Sequence, residues 1–255
     1  MKYFYLILCV AVLWTSCKES GCTDPLATNY NTEANEDDGS CYHTLNIKLN
    51  ITNNGESLNE YDIFEKNGST FRLETMRYYL SDIKLNSENE ESQTIEVHLF
   101  DVDKPDMHLL QFNTLKKESY NSISFKLGLD EALNASNPNS FTSDHPLSST
   151  HNTYWNMEPA SYMFVMFEGK ADTLGGENFN YSKTYHLAHN SLLREIIIEH
   201  EFSFLENNTI EVDLNLELPQ MFNNVDLTAE VPHSVNNSPT ANTIMNNIAN
   251  AFIIQ

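Results

Sequence analysis

The chain has 255 residues, with 14 Lys and Arg against 36 Asp and Glu and a formal net charge of −22 at pH 7. A field of that sign repels phosphate backbones and anionic headgroups and concentrates cations, which argues against nucleic-acid binding and keeps metal contact open. Aromatic residues make up 11% of the sequence, enough at this length for one sizeable core without a second large domain.

Residues 1–16 open with Lys2, run through an apolar stretch from Tyr3 to Trp14, and end on Thr15 and Ser16 immediately before Cys17. A basic start, a short apolar stretch and small residues at the end describe a secretory signal, and the stretch is short for a permanent span. The Cys that follows makes the segment similar to a bacterial lipoprotein signal, although Trp14 stands where that motif usually has Leu. The resemblance implies that Cys17 is lipidated and becomes the mature N-terminus. It further implies a chain anchored by its acyl groups to the outer membrane of a Gram-negative bacterium, on the periplasmic or the surface side. Lys18-Glu19 is weakly similar to surface-export signals of some lipoproteins.

Residues 17–42 form a distinct segment. With Cys9 in the signal and Cys17 lipidated, Cys22 and Cys41 are the remaining pair, and an oxidising compartment predicts a disulfide between them. The stretch between them is rich in Asn, Asp, Thr and Gly, has almost nothing apolar to pack, and needs a staple to be ordered. Closing such a loop stabilises by roughly 3 kcal/mol in the chain-entropy model. Gly21-Cys22-Thr23-Asp24-Pro25, Ala27, Asn29-Tyr30, Ala34 and Asp37 to Cys41 resemble a small GCxDPxAxNY…DDGSC module of bacterial surface proteins. Thr28 stands where a second Cys pair of that module often has one member. Asp24, Asp37 and Asp38 offer hard oxygen ligands for calcium, and equally the acids of ordinary turns beside a Gly.

From residue 43 to 255 the pattern becomes two-residue alternation. TLNIKLNIT, TMRYYLSDIKLN, TIEVHLFDV, NSISFKLGL, ASYMFVMFEG, LREIIIEHEFSF and TIEVDLNLEL each place apolar residues at every second position between turn-forming clusters. Seven such runs without a βαβ rhythm predict an all-β fold, an antiparallel β-sandwich with long loops over 130–160 and 219–240. One C-terminal helix is expected: Ser238-Pro239 supplies an N-cap and a first helical residue, and Ile244, Met245, Ile248, Ala249 and Phe252 recur at helical spacing.

Several pieces of residues 43–255 occur together in order. They are Leu73 to Ile83 (LETMRYYLSDI), Phe125 to Asp130 (FKLGLD), His145-Pro146-Leu147, Tyr154-Trp155-Asn156-Met157, Tyr162-Met163-Phe164, Phe167-Glu168-Gly169, Tyr185-His186-Leu187 and Pro232-His233-Ser234. Together they resemble the MbnP-like family. The resemblance implies an exported protein of the kind found beside methanobactin or copper-responsive genes. Characterised members bind copper through histidines and a kynurenine made oxidatively from a tryptophan. On this sequence Trp155 matches that tryptophan, and His186 and His233 match family histidine positions. Copper-binding relatives carry a W-x-H arrangement where this chain has Trp155-Asn156-Met157, so the Met157 thioether replaces an imidazole as a soft donor for Cu(I). The implied partner is a di-haem peroxidase that oxidises Trp155. Trp155, His186 and His233 are expected to converge near one end of the sandwich.

Each of these residues also has a purely structural reading. Trp155 beside Tyr162, Phe164 and Phe167 reads as core packing, His186 as a hydrogen-bonded histidine at a strand end, and His233 as a loop residue. His151 and His189 have no family match and read as structural. His98 and His200 read as solvent-facing, and Asp101, Asp103 and Asp106 as an acidic turn before Pro105. No nucleophile elbow, zinc-protease helix or phosphate loop is present, and no free Cys remains for thiolate chemistry. The expected function is therefore binding rather than catalysis: a copper-binding or copper-handling lipoprotein, or a cell-surface interaction and adhesion module without metal chemistry.

Overall fold

The computed structural model describes residues 18–66, 68–87, 93–116, 119–157, 159–172, 174–205, 209–225 and 238–255. The signal segment, Cys17 and His233 lie outside the described residues. Within them the chain forms β1 (Ser20–Gly21), β2 (Glu36–Asp37), β3 (His43–Asn53), β4 (Glu56–Ser57), β5 (Ile63–Lys66), β6 (Ser69–Asn86), β7 (Gln93–Asp101), β8 (Leu109–Leu115) and β9 (Ser119–Leu127). A short helix, α1 (Glu131–Asn134), precedes β10 (Tyr154–Trp155), β11 (Ser161–Asp172), β12 (Phe179–Ala188), β13 (Arg194–Ser203) and β14 (Thr209–Glu217). Helix α2 (Pro239–Ala249) and β15 (Phe252–Ile254) complete the chain.

An eight-stranded and a five-stranded sheet make a β-sandwich, as the alternation predicts. In β3, Leu45, Ile47, Leu49 and Ile51 are buried while the residues between them point away from the core. The central strand of the large sheet is β6, whose first half pairs with β5 and β11 and whose second half pairs with β7 and β9. Its neighbour changes near Tyr79, where Gly128 donates its N–H to the Tyr79 carbonyl at 2.8 Å. Gly128 has φ +107, and a Cβ there would run into the Phe164 ring, so only glycine fits this junction. Between the sheets, Phe64, Phe71, Phe167, Tyr185 and Phe222 form one ring network with centroid spacings from 5.1 to 6.4 Å.

The sandwich is not wholly antiparallel. β14 runs parallel to β3 over nine residue pairs, which joins the C-terminal part of the chain to its first long strand. Strands β8 and β12 lie in segments with no clean alternation, and β12 shows polar residues at several of its exposed positions. The Ser238 hydroxyl caps α2 by accepting from Ala241 N at 3.0 Å, with Pro239 next. The helix buries Ile244, Met245 and Ile248 but ends at Ala249, so Phe252 belongs to β15 and reaches the core from a strand. The expected long loop over 130–160 carries α1 and three-residue helical turns at 138–140 and 149–151. Among the described residues no helix is long and apolar enough to cross a membrane.

Residues 18–42 contribute only Cys22 and Ala27 to the buried apolar set. Cys22 and Cys41 are joined by a disulfide, as predicted.

Candidate functional site

The chemistry-bearing residues gather on the outer face of the large sheet, along β11. Tyr162 to Phe167 is an unbroken apolar run in which every residue is buried, so this strand is covered on both faces. Facing the core are Phe164, Val165 and Phe167. On the outer face Met163 and Met166 form, with Ala188 of β12, a small apolar cluster separate from the main core. A register shift between Met163 and Val165 brings the two methionines, three residues apart, onto the same face.

His186 stands directly opposite Met166 across the β11–β12 pair and is 8% exposed. Its Nε2 donates to Glu168 Oε1 at 2.8 Å, a contact that orients the ring. On the other side of Met166 the register places Arg77 of β6, held by Asp101 Oδ2 at 2.8 Å. Asp101 is thus an ion-pair partner rather than part of a cation site, and Lys104 approaches the same oxygen at 3.7 Å.

Trp155 lies on β10 opposite Ser161, two residues before Met163, and is half-buried outside the aromatic core. Its neighbour Tyr154 packs edge-on against Tyr162 at 4.9 Å. Met157 is 56% exposed in the loop that follows. Trp155 and His186 therefore belong to one strip but pair with β11 five residues apart, roughly 15 Å of strand, so the expected convergence of these two residues does not occur; His233 lies outside the described residues. The two methionines fill that interval. The alternation of the sequence hid them, because a Met in an apolar run reads as packing; the run of six consecutive buried residues is the signal that both faces are covered.

The remaining histidines take structural places. His151 is buried, donates Nε2–H to the His145 carbonyl at 3.1 Å, and lets its own carbonyl accept from Arg77. His98 is not solvent-facing: the turn at 105–107 folds back over β7, and His98 Nε2 donates to the Met107 carbonyl at 2.9 Å. His98 and His151 line one cavity of about 500 Å³ with Lys104, Met107 and Thr150. Burial holds both imidazoles below their ordinary value, because their charged forms would lose water. His200 is also only partly exposed, its ring 4.8 Å from that of Phe202. His189 caps the turn 190–192 by accepting from Ser191 N.

In the cysteine segment, Asp24 accepts from Leu26 N, Asp37 from Gly39 N and Asp38 from Ser40 N. These are the hydrogen bonds of Asx turns. Among the described residues no group of three His, Cys, Asp or Glu side chains is placed to hold a metal ion, so the calcium expectation finds no assembled site there.

Comparison with known families gives a match to the MbnP model over residues 42–245. The chain belongs to the MbnP family. Among solved structures, MbnP from Methylosinus trichosporium is similar in fold, with a TM-score of 0.50 at 12% sequence identity, covering 77% of this chain and 81% of that one. No curated protein matches. The family match begins at the residue after Cys41, so the stapled segment precedes the MbnP region.

Proposed function

We propose that this MbnP-family chain is an exported, lipid-anchored protein that binds or handles copper and is not itself an enzyme. The observation that carries the reading is the placement of Trp155: outside the core, half-buried at the end of a strip of soft donors, with the Met157 thioether two residues away in solvent. Donor chemistry fits. Thioether sulfur and neutral imidazole suit a soft ion such as Cu(I), and copper when bound supplies one-electron redox chemistry. In this reading Trp155 and Met157 receive the metal, and His186, oriented by Glu168, holds it further along β11. His233 contributes from the segment ahead of α2. A carboxylate on the outer nitrogen of a ligand histidine fixes its tautomer and raises its basicity, which is the arrangement of His186 and Glu168. A di-haem peroxidase is the proposed partner: with peroxide as its oxidant it would withdraw four electrons and four protons from Trp155 while water supplies the oxygen atoms, the indole C2 carbon leaves as formate, and the kynurenine formed adds a neutral aromatic amine to the donor set.

Attachment through Cys17 would place this strip in an extracytoplasmic, oxidising space, in keeping with the Cys22–Cys41 disulfide. The test is elemental analysis of the mature protein purified from a Gram-negative envelope, with intact mass and peptide mapping around Trp155. Bound copper supports the reading, and an altered mass at Trp155 supports its oxidation. Protein that stays copper-free after anaerobic Cu(I) loading contradicts it. Fatty-acid labelling that persists in Cys17→Ala would contradict the anchor.

A further inference from the structure

We infer that Met163, Met166 and His186 form a Cu(I) site on the outer face of the large sheet. The inference rests on the copper reading and deepens it by naming where the ion is held.

Three observations carry it. First, the outer face around these residues is polar: beyond Met166 on β11 come Glu168 and Lys170, and beyond His186 on β12 come Thr184 and Ser182. Two methionines, 7% and 6% exposed, interrupt that polar face and belong to no part of the main core. Leucine or valine would bury apolar area as well, with better-defined rotamers; what Met adds is a polarisable sulfur. Second, Met166 and His186 are a direct cross-strand pair, a placement that sets Cβ atoms about 5 Å apart. Third, His186 carries a carboxylate partner on Nε2, the outer-nitrogen contact that orients ligand histidines.

Two thioethers and one imidazole are neutral, soft donors. They are weak ligands for calcium, magnesium or other hard ions and strong ones for Cu(I), so the set selects for the reduced metal. The nearby cation does not oppose this, because the Arg77 guanidinium is paired with buried Asp101. Met157 and Trp155 lie at the exposed end of the same strip, where an incoming ion would first meet donors.

The experiment is an anaerobic Cu(I) titration of the full mature chain against a chromophoric Cu(I) chelator, with X-ray absorption of the loaded protein. Met163→Leu/Met166→Leu is compared with Trp155→Phe/Met157→Leu. The inference predicts that the first pair weakens Cu(I) binding by roughly tenfold or more and removes the Met163 and Met166 sulfurs from the copper spectrum, while the second pair, which removes the donors proposed to receive the ion, still shows a coordinating sulfur. A Met163→Leu/Met166→Leu protein that binds as tightly as the parent, with an unchanged spectrum, overturns the inference and leaves the copper reading standing. A parent protein that binds no Cu(I) overturns both. Should the Leu pair fail to fold, the spectrum of loaded Trp155→Phe/Met157→Leu decides: coordinating sulfur supports the site, and a shell of nitrogen and oxygen alone rejects it.

Discussion

The two faces of β11 are built from similarly apolar residues to different ends. On the inner face Phe164, Val165 and Phe167 join a network of stacked and edge-on rings, in which Phe167 meets Phe64, Tyr185 and Phe222. On the outer face Met163 and Met166 sit beside His186, Glu168 and the Arg77–Asp101 pair. The inner residues are held by shape, and their chemistry is interchangeable among hydrophobes of equal volume. The outer residues carry sulfur, imidazole and carboxylate at positions where packing alone asks for none of these. Equal burial therefore does not mean equal chemistry: the inner face presents rings and branched aliphatic groups to the core, and the outer face presents sulfur, imidazole and carboxylate.

Substitutions sharpen that contrast. Phe167→Ala should cost about 3–5 kcal/mol through lost transfer energy and an unfilled cavity, whereas Met166→Leu, nearly isosteric, should cost under about 1.5 kcal/mol. Denaturant unfolding of both variants measures this, and equal losses would erase the distinction between the faces. Arg77→Gln is expected next, at about 3 kcal/mol, because it strips the nearly inaccessible Asp101 carboxylate of its closest cation. A loss below about 0.5 kcal/mol, as for an exposed pair, would mean that Lys104 or water takes over.

Replacing Cys22 and Cys41 by Ser should destabilise the 18–42 segment by roughly 3 kcal/mol and leave the sandwich almost untouched, since that segment buries so little. Hydrogen exchange reads the two regions separately; a sandwich that loosens with the segment would show them to be one cooperative unit. The smallest effect concerns pH. Burial holds His98 and His151 below their ordinary value in the fold, while the unfolded chain takes up their protons below about 6.5. Stability from these groups is therefore complete above that pH and declines as pH falls further. Replacing both by Gln should flatten this part of the profile; an unchanged slope would place its origin elsewhere.

Much of the fold was legible because alternation is a local signal. The β3, β6, β7, β9, β11, β13 and β14 strands, the Ser238 cap and the disulfide all follow from residues close together in sequence. What escaped depends on distant contacts. The parallel pairing of β3 with β14, the recruitment of Phe252 into a strand and the burial of His98 under the 105–107 turn are each set by where another part of the chain lands. The same is true of the site. Trp155 and His186 were recognisable individually, but only the register on β11 shows that they lie along one strip with Met163 and Met166 between them.

The claim that soft-ion chemistry belongs to the outer face is tested most directly by NMR of protein labelled with carbon-13 at the methionine methyls. Cu(I), or Ag(I) as its redox-inert substitute, is titrated in. The methyls of Met163 and Met166 should shift or broaden, followed by that of exposed Met157, while those of the core residues Met76, Met221 and Met245 stay in place. Saturation with the ion while Met163 and Met166 do not move, or shifts spread equally over core and outer-face methionines, would contradict the account.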